Sequence, residues 1–426
     1  MTRRRKRPNF FGWTLFGLVI LFGYYFNQVY LPAQPNPFEA TPTVTRSPES
    51  LVTEAEELFR QGRLLQSIDA YQAAINASPQ NPALYIAIAR IQVWAGKYEE
   101  AQANAENALL LNPNNSMAHA VLAWALDFQG NNSEALATVD TAIELDPNNA
   151  IAHAYRVEIL IDSGSFDNIT KAADVSRNAL ALDPNALETR RARAYLLEAT
   201  ANYEEAIQFY RSAIEVNPHI PILHMELGRN LRFLEVYDEA IKEFTLANTL
   251  NPPDPEPDLF ISRTYATIGD YAKAIQYAET AVKDRTTDAG LRGNYGVMLF
   301  RNFLYQQAVE QLGLAVNGGT AEDGLPIIGL PLVNGSRVVE YYYTYGLVLA
   351  RTNQCGEALK IAQQLQSTVP TDENATFAAS ETIRICQENL NNPAVDTPAP
   401  TEDDETVTAE AETETETPAP SATSTP

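Results

Sequence analysis

The chain has 426 residues, of which 54 are acidic and 30 basic, so its formal charge at neutral pH is −24. With 45% apolar residues and only two cysteines, the composition excludes a collagen, a disulfide-stapled miniprotein and a protein with many membrane spans. The strong negative charge repels polyphosphate, so no nucleic-acid partner is predicted.

The amino end combines a basic segment with an apolar one. Residues 1–8 include five Arg or Lys, and residues 9–30 contain no charged side chain. About 20 apolar residues suffice to cross a bilayer as a helix, and upstream bases stay in the cytoplasm. The pattern therefore predicts a basic cytoplasmic tail over 1–8 and a single-pass, uncleaved transmembrane signal-anchor helix over 9–30. A cleaved signal peptide and the reversed topology remain alternatives.

A proline-rich and threonine-rich stretch over 31–48 follows and predicts a semi-rigid linker. Beyond it, prolines recur every 34 residues, with one interval of 37, and alanines keep the same period. The recurring prolines are Pro79, Pro113, Pro147, Pro184, Pro218 and Pro252. A period of 34 is typical of tetratricopeptide repeats. The segments IELDPNNAIAHAY, EVNPHIPILHMELG and YEEAIQFYRSAIEVNP resemble that family.

The resemblance spans roughly residues 49–390 and implies an all-α fold. It predicts a right-handed superhelical solenoid of about nine helical hairpins with a C-terminal capping helix over 374–390. One hairpin cannot bury its own apolar face, so neighbouring hairpins must stack. The predicted hairpins start near residues 48, 82, 116, 150, 187, 221, 255, 289 and 339.

Two insertions and a tail depart from this repeat. Three extra residues within SGSFDNITK of the fourth hairpin predict a longer turn between its helices. The inserted loop over 318–337 is predicted to pack on the solenoid edge, and a ligand-binding lid is the alternative. The apolar residues expected to pack are Leu325, Ile327, Ile328, Leu330 and Leu332. Residues 391–426 are acidic, rich in Thr and Pro, and predicted to be disordered.

The chemistry-bearing residues are few. No spacing of His, Cys and carboxylates resembles a metal or catalytic site, so the protein is predicted to be non-catalytic, without metal or cofactor. Gly290, Gly293 and Gly296 lack the strand and the Lys-Ser/Thr of a phosphate loop. Three histidines occupy the fourth position of a hairpin and are predicted to pack there: His119, His153 and His224.

The two cysteines lie in the last hairpin and the cap. Cys355 begins the second helix of hairpin nine, and Cys386 is near the end of the predicted capping helix. Stacking brings these two points to the same edge, and an exported domain meets oxidising conditions. We therefore predict a disulfide between them, with two buried free thiols as the alternative.

The resemblance also implies a binding surface. In this family, positions two, five, nine and twelve of each first helix usually face the concave groove. Here those positions concentrate arginine and aromatic side chains, which suit carboxylate and apolar contacts. The predicted ligand-binding groove comprises Arg90, Trp124, Glu158, Arg191, Tyr195, Arg229, Arg232 and Arg263. Alternatively, these arginines pair with acids of neighbouring helices.

Together these features predict a non-catalytic scaffold of bacterial type that binds a protein or peptide through the concave groove. Its repeats would be displayed on the outer side of the cytoplasmic membrane, attached through residues 9–30. A structural spacer of a cell-envelope complex is the first alternative. The second is an enzyme accessory subunit whose chemistry lies in the loop over 318–337.

Overall fold

This computed structural model describes residues 10–26, 28 and 46–391, which form 20 α-helices and one two-stranded antiparallel sheet. The chain divides into a first unit, Met1–Asp284, and a second unit, Arg285–Pro426. In the first unit the helices are α1 Phe10–Tyr25, α2 Pro48–Arg60, α3 Leu64–Ala77, α4 Pro82–Trp94, α5 Tyr98–Leu111, α6 Ser116–Phe128, α7 Asn132–Leu145, α8 Ala150–Asp162, α9 Phe166–Leu182, α10 Leu187–Ala199, α11 Tyr203–Val216, α12 Pro221–Phe233, α13 Tyr237–Leu250, α14 Glu256–Ile268 and α15 Tyr271–Asp284.

The second unit begins with helices α16 Ala289–Arg301 and α17 Tyr305–Asn317. Strands β1 Gly319–Thr320 and β2 Pro326–Ile327 follow, with Gly319 paired to Ile327 and Thr320 to Pro326. Helices α18 Val338–Arg351, α19 Cys355–Thr368 and α20 Glu373–Asn391 complete the described part of this unit. The prediction of an all-helical repeat solenoid is confirmed for the described residues, apart from this short sheet.

The first helix does not match the predicted membrane span. Helix α1 has 16 residues, and the remainder of 9–30 lies largely outside the described residues. Sixteen helical residues extend roughly 24 Å, less than the roughly 30 Å hydrocarbon core. Among the residues that the structure describes, no helix is both long and apolar enough to cross a membrane. The predictions for residues 1–8 and 392–426, and most of the prediction for the linker over 31–48, also concern residues outside the described ranges.

Small residues allow the paired helices to pack closely. Alanines such as Ala101, Ala206 and Ala240 are fully buried between helices of the first unit. Histidines at the fourth position of a hairpin are hydrogen-bonded to the turn that precedes it. The ring Nε2 of His153 lies 2.9 Å from the Pro147 carbonyl oxygen, and the same ring atom of His224 lies 3.0 Å from that of Pro218. Both histidines are buried, as predicted, whereas His119 is only half-buried.

The extra residues of the fourth hairpin do not lengthen its turn. Helix α9 has 17 residues, against 14 in α7 and α11, and the turn before it covers only residues 163–165. The predicted longer turn is therefore wrong. Three residues are nearly one helical turn, so the helix absorbs them while its apolar face stays in almost the same direction.

In the second unit, the loop over 318–337 packs through part of its apolar residues. Ile327 and Leu332 are buried and Leu330 is half-buried, but Leu325 and Ile328 are exposed. A fully buried arginine on α16, Arg292, holds the loop. Its guanidinium donates to Gln311 Oε1 at 3.0 Å, to Glu322 Oε2 at 2.7 Å and to the Thr286 carbonyl oxygen at 2.8 Å.

Close packing at Gly293 gives the first prediction. A Cβ on Gly293 would lie 2.4 Å from the Tyr341 ring, whereas one on Gly356 of α19 would meet nothing within 4 Å. We expect Gly293→Ala to lower the free energy of unfolding of the second unit by about 1–3 kcal/mol, because the buried ring must shift. Gly356→Ala should leave it unchanged or raise it by up to about 1 kcal/mol. Urea denaturation of the two variants checks this, and equal effects would contradict it.

Cys355 and Cys386 form a disulfide, with their Cα atoms 5.5 Å apart and a sequence separation of 31 positions. The bond joins α19 to the capping helix α20. We expect the double variant Cys355→Ala/Cys386→Ala to lose about 2–4 kcal/mol of unfolding free energy, since the cross-link restricts the unfolded chain. Reduction of the wild-type chain should reproduce this loss. A double variant that unfolds at the same urea concentration as the oxidised wild type would refute the expectation.

Candidate functional site

The candidate site lies inside the first unit, where α4, α6, α8, α10 and α12 are the first helices of consecutive hairpins. Most residues of the predicted groove lie on the inward faces of these helices. Their aromatic and charged side chains meet one another there, and several are more deeply buried than a binding groove requires. Trp124 is fully buried, Glu158 is 2% exposed and Arg191 is 3% exposed.

These side chains form one network of ion pairs and ring contacts, and Arg191 is at its centre. Its Nη1 lies 2.5 Å from Glu158 Oε2 on α8, and its Nη2 lies 2.6 Å from Glu226 Oε1 on α12. Its Nε donates to Glu226 Oε2 at 3.1 Å, so the guanidinium forms a bidentate pair with that carboxylate. One arginine thus joins first helices from three successive hairpins.

Aromatic rings surround the same guanidinium. Its Cζ lies 5.5 Å from the centre of the Trp94 ring, 5.9 Å from those of Trp124 and Phe128, and 6.0 Å from that of Tyr195. The Trp94 and Trp124 ring centres are 4.7 Å apart, edge to face. Because ring faces attract cations, most strongly where water is excluded, this cage favours the charged form of Arg191.

Two further ion pairs extend the network towards solvent. Arg90 on α4 lies 2.5 Å from Glu188 Oε1 on α10, although these residues are 98 positions apart in sequence. Arg229 on α12 lies 3.0 Å from Glu198 Oε1 on α10. The side chains of Arg90 and Arg229 remain 36% and 32% exposed. These arginines are therefore at the rim of the network.

Buried acids outnumber buried bases in this network. Asp127, Glu158, Glu188 and Glu226 are all at least 93% buried, and of the described bases in the network only Arg191 is buried to the same degree. Burial raises the pKa of Glu158 to about 7, against the opposing charge of Arg191, and it also raises the pKa of Glu226. The low dielectric therefore disfavours full ionisation of the cluster.

Asp127 is the most perturbed of these acids. Its burial, followed by the charges of Asp162 and Glu158, raises its pKa to about 9. Its carboxyl group is hydrogen-bonded to that of Asp162, which is exposed and also accepts the Tyr195 hydroxyl. The raised pKa favours a protonated Asp127 carboxyl group, which can then donate a hydrogen bond to Asp162.

The first unit closes on itself beside this network. The ring Nδ1 of His219 lies 2.8 Å from the Arg60 carbonyl oxygen, and Asn217 Nδ2 donates to the Phe59 carbonyl oxygen at 3.5 Å. A Cβ on Gly62 would lie 2.5 Å from His219 Cβ, and Gly62 has φ +74°. The turn of the first hairpin therefore abuts the start of the sixth, and only glycine fits at the point of closest approach.

The structure brings six of the eight predicted groove residues into the network: Arg90, Trp124, Glu158, Arg191, Tyr195 and Arg229. The other two are partly exposed. Arg232 is on α12, and Arg263 on α14 lies with its Cζ 5.8 Å from the centre of the Phe260 ring. For Arg90, Arg191 and Arg229 the geometry agrees with the alternative interpretation, in which each pairs with acids of neighbouring hairpins. Their role in binding stays a prediction.

Sequence reasoning missed the acidic partners of these arginines, Glu188, Glu198 and Glu226, and also the buried Asp127. A signal was present, because Asp127 and Glu226 interrupt the otherwise apolar runs AVLAWAL and ILHM of first helices. An acid at such a position is buried, and a buried acid requires a partner or a proton.

Outside this network, metal binding by the described residues and acid-base chemistry in the loop over 318–337 are two further possibilities. No group of three or more His, Cys, Asp or Glu side chains in the described ranges could hold a metal ion. In the loop over 318–337, hydrogen bonds from Arg292 and Thr286 lower the pKa values of Glu322 and Asp323 respectively. Both acids are therefore ionised and exposed, unlike a general acid that must keep its proton near neutral pH.

Comparison with known proteins agrees with the helical hairpins. Two tetratricopeptide repeat models match the sequence, one over residues 58–125 and 95–159 and the other over 192–220 and 259–283. The chain therefore contains tetratricopeptide repeats. No curated protein matches it.

Two solved structures are similar to parts of the chain. A tetratricopeptide repeat protein of Parabacteroides merdae is 18% identical over 59% of this chain and 98% of its own, with a TM-score of 0.39. PilF of Pseudomonas aeruginosa is 21% identical over 46% of this chain and 88% of its own, with a TM-score of 0.40. Both TM-scores are below 0.5.

Proposed function

We propose that this protein is a non-catalytic scaffold that binds another protein or a peptide. The observation that carries the proposal is the presence of nine helical hairpins in the described residues, seven in the first unit and two in the second, with four segments that match tetratricopeptide repeat models. Repeats of this kind generally mediate protein–protein interactions. The buried ionisable cluster supports a structural role, because its members are paired with one another and withdrawn from any substrate.

Binding in the first unit would use the rim of the network rather than its centre. An extended peptide cannot take the place of Trp124, Glu158 and Arg191 without opening the buried cluster. Arg90, Tyr195, Arg229, Arg232 and Arg263 are partly exposed and can still reach a partner. Guanidinium groups beside an aromatic ring suit a segment that carries carboxylates.

Capture of partners from a cell-envelope extract on the immobilised full chain tests this proposal. We expect Arg263→Glu and Arg229→Gln to lose the captured protein, whereas Arg177→Glu should retain it. Arg177 is the matched control because its side chain is 69% exposed and pairs only along its own helix, with Asp174. A structural spacer that contacts its assembly elsewhere would retain its neighbours in all three variants, and that outcome would contradict rim binding.

We also propose that residues 9–30 attach the chain to the cytoplasmic membrane, with the repeats on the outer side. Described side chains of α1 such as Leu18, Leu21 and Phe22 are more than 60% exposed, and solvent exposure of so apolar a helix is unfavourable. The disulfide supports an oxidising compartment. Alkaline phosphatase fused after residue 390 should be active and a cytoplasmic reporter inactive, and the reverse result would refute this topology.

A further inference from the structure

The turn between the two helices of every described hairpin contains one residue in the left-handed conformation. Glycine is the residue that adopts this conformation without a steric penalty, and it occupies five of these turns. In chain order the nine residues are Gly62, Gly96, Gly130, Gly164, Ala201, Glu235, Gly269, Phe303 and Asn353. Only one of them is a large apolar residue.

Phe303 is unfavourable at this position on two counts. Its φ of +64° places a bulky side chain in a region that L-residues avoid, and 75% of the residue is exposed. The next residue, Leu304, is 40% exposed. The nearest ring contact of Phe303 is an edge-to-face approach to Tyr305 with the centres 6.2 Å apart. The fold itself therefore gains little burial from this ring, although the backbone is strained to hold it.

A cation lies over Tyr305, the ring that Phe303 contacts. Arg351 at the end of α18 is exposed, and its Cζ lies 5.6 Å from the centre of the Tyr305 ring and 5.8 Å from that of Phe300. Its Nη1 donates to the Tyr305 hydroxyl at 3.1 Å. No carboxylate of the described residues lies within 4.0 Å of its nitrogens. The rings thus hold the guanidinium in place. Its charge contributes, after Arg384, to lowering the pKa of Glu381, but the two groups form no direct ion pair.

We propose that Phe303, Leu304 and Arg351 form a docking surface for a protein segment that carries an apolar side chain beside a carboxylate. The apolar side chain would cover Phe303 and Leu304, and the carboxylate would pair with Arg351. Aromatic and arginine side chains dominate the energetic centres of protein interfaces, and this surface combines both. The proposal rests on the scaffold function above and assigns it a second contact surface, on the turns of hairpins eight and nine.

Charge complementarity selects an acidic segment over a basic one. The chain has a formal charge of −24, so a basic partner would be attracted to many parts of its surface without specificity. An acidic segment is repelled by most of this surface and attracted at exposed Arg351, whose nitrogens have no described carboxylate within 4.0 Å. Phe303 and Leu304 alone would bind any apolar surface. Arg351 therefore supplies the specificity for a partner that carries a carboxylate.

The probe for this proposal is a phage-displayed library of random twelve-residue peptides, selected on the purified full chain. We expect enriched peptides that combine acidic and apolar residues. Phe303→Gly should weaken their binding about tenfold or more, and Arg351→Glu should do the same. Phe303→Gly should also leave the thermal midpoint of unfolding unchanged or raise it, because it relieves the left-handed backbone and exposes no core.

The matched control is Asn353→Gly at the equivalent turn of hairpin nine, where φ is +62°. It gives the same backbone relief without removing a ring, so the peptides should bind it as they bind the wild type. Peptides that bind Phe303→Gly equally well would overturn the docking surface while leaving the scaffold function intact. Enrichment of basic peptides would overturn the partner chemistry. Failure to enrich any peptide would also count against this surface, and the capture experiment judges the scaffold function separately.

Discussion

Arg191→Met should be the most damaging single substitution in the first unit. We expect it to lower the free energy of unfolding by about 3–5 kcal/mol, because it leaves buried carboxylates without their cation. Methionine nearly fills the volume of the lost stem, so the effect reports mainly on charge. Glu158 and Glu226 are each 2% exposed, and water cannot replace the lost partner without opening the stack. Urea denaturation followed by circular dichroism measures the loss.

Arg177→Met is the control for this substitution. Arg177 also pairs with an acid, Asp174, but both side chains are about 70% exposed. Exposed pairs contribute at most about 1 kcal/mol, so this variant should unfold almost as the wild type does. A loss below about 1 kcal/mol for Arg191→Met would mean that the network is open to water, and the account of a closed interior would fail.

Asp127→Asn should raise the stability of the first unit at pH 8. The folded-state pKa of Asp127, about 9, lies above its unfolded value of about 3.8. Between these two pKa values, the folded state therefore keeps a proton that the unfolded state has released. Stability due to this group is fully present below the unfolded pKa and is lost as pH rises, by up to about 1.4 kcal/mol per pH unit. Asparagine can donate the same hydrogen bond to Asp162 without titrating, so the variant avoids this loss.

The measurement is the free energy of unfolding between pH 5 and 8. The raised pKa values of Glu158 and Glu226 give slopes of the same sign, so the wild type should become less stable as pH rises. Asp127→Asn should flatten the profile and lie above it at pH 8. Asp167→Asn, at an exposed position of α9, should leave the profile unchanged. A steeper or unchanged profile for Asp127→Asn would show that Asp127 is ionised in the folded state.

The repeating part of the fold was predictable because each hairpin repeats the same local pattern. Prolines and alanines at a period of 34 placed the first helix of every described hairpin within one residue of its observed start. Where the repeat was broken, prediction was weaker. The three extra residues within SGSFDNITK entered α9, where helix propagation is favourable, and did not lengthen the turn as predicted.

The site was only half predictable. The family resemblance implied which positions of the first helices face inward, and so it found Arg191, Trp124 and Glu158. It could not show how tightly the first unit curves, since curvature depends on small rotations summed over several hairpins. That curvature brings Arg90 to Glu188 and His219 to Arg60, and it converts an expected groove into a filled interior.

A double-mutant cycle between Arg191 and Glu226 tests the central claim. The claim is that the buried side chains at the predicted groove form ion pairs with one another and not with an external ligand. The unfolding free energies of wild type, Arg191→Met, Glu226→Gln and the double variant are compared under one condition. We predict a coupling energy of about 2–3 kcal/mol, with the double variant more stable than the sum of the single losses implies. Additive losses, with a coupling energy near zero, would contradict the account.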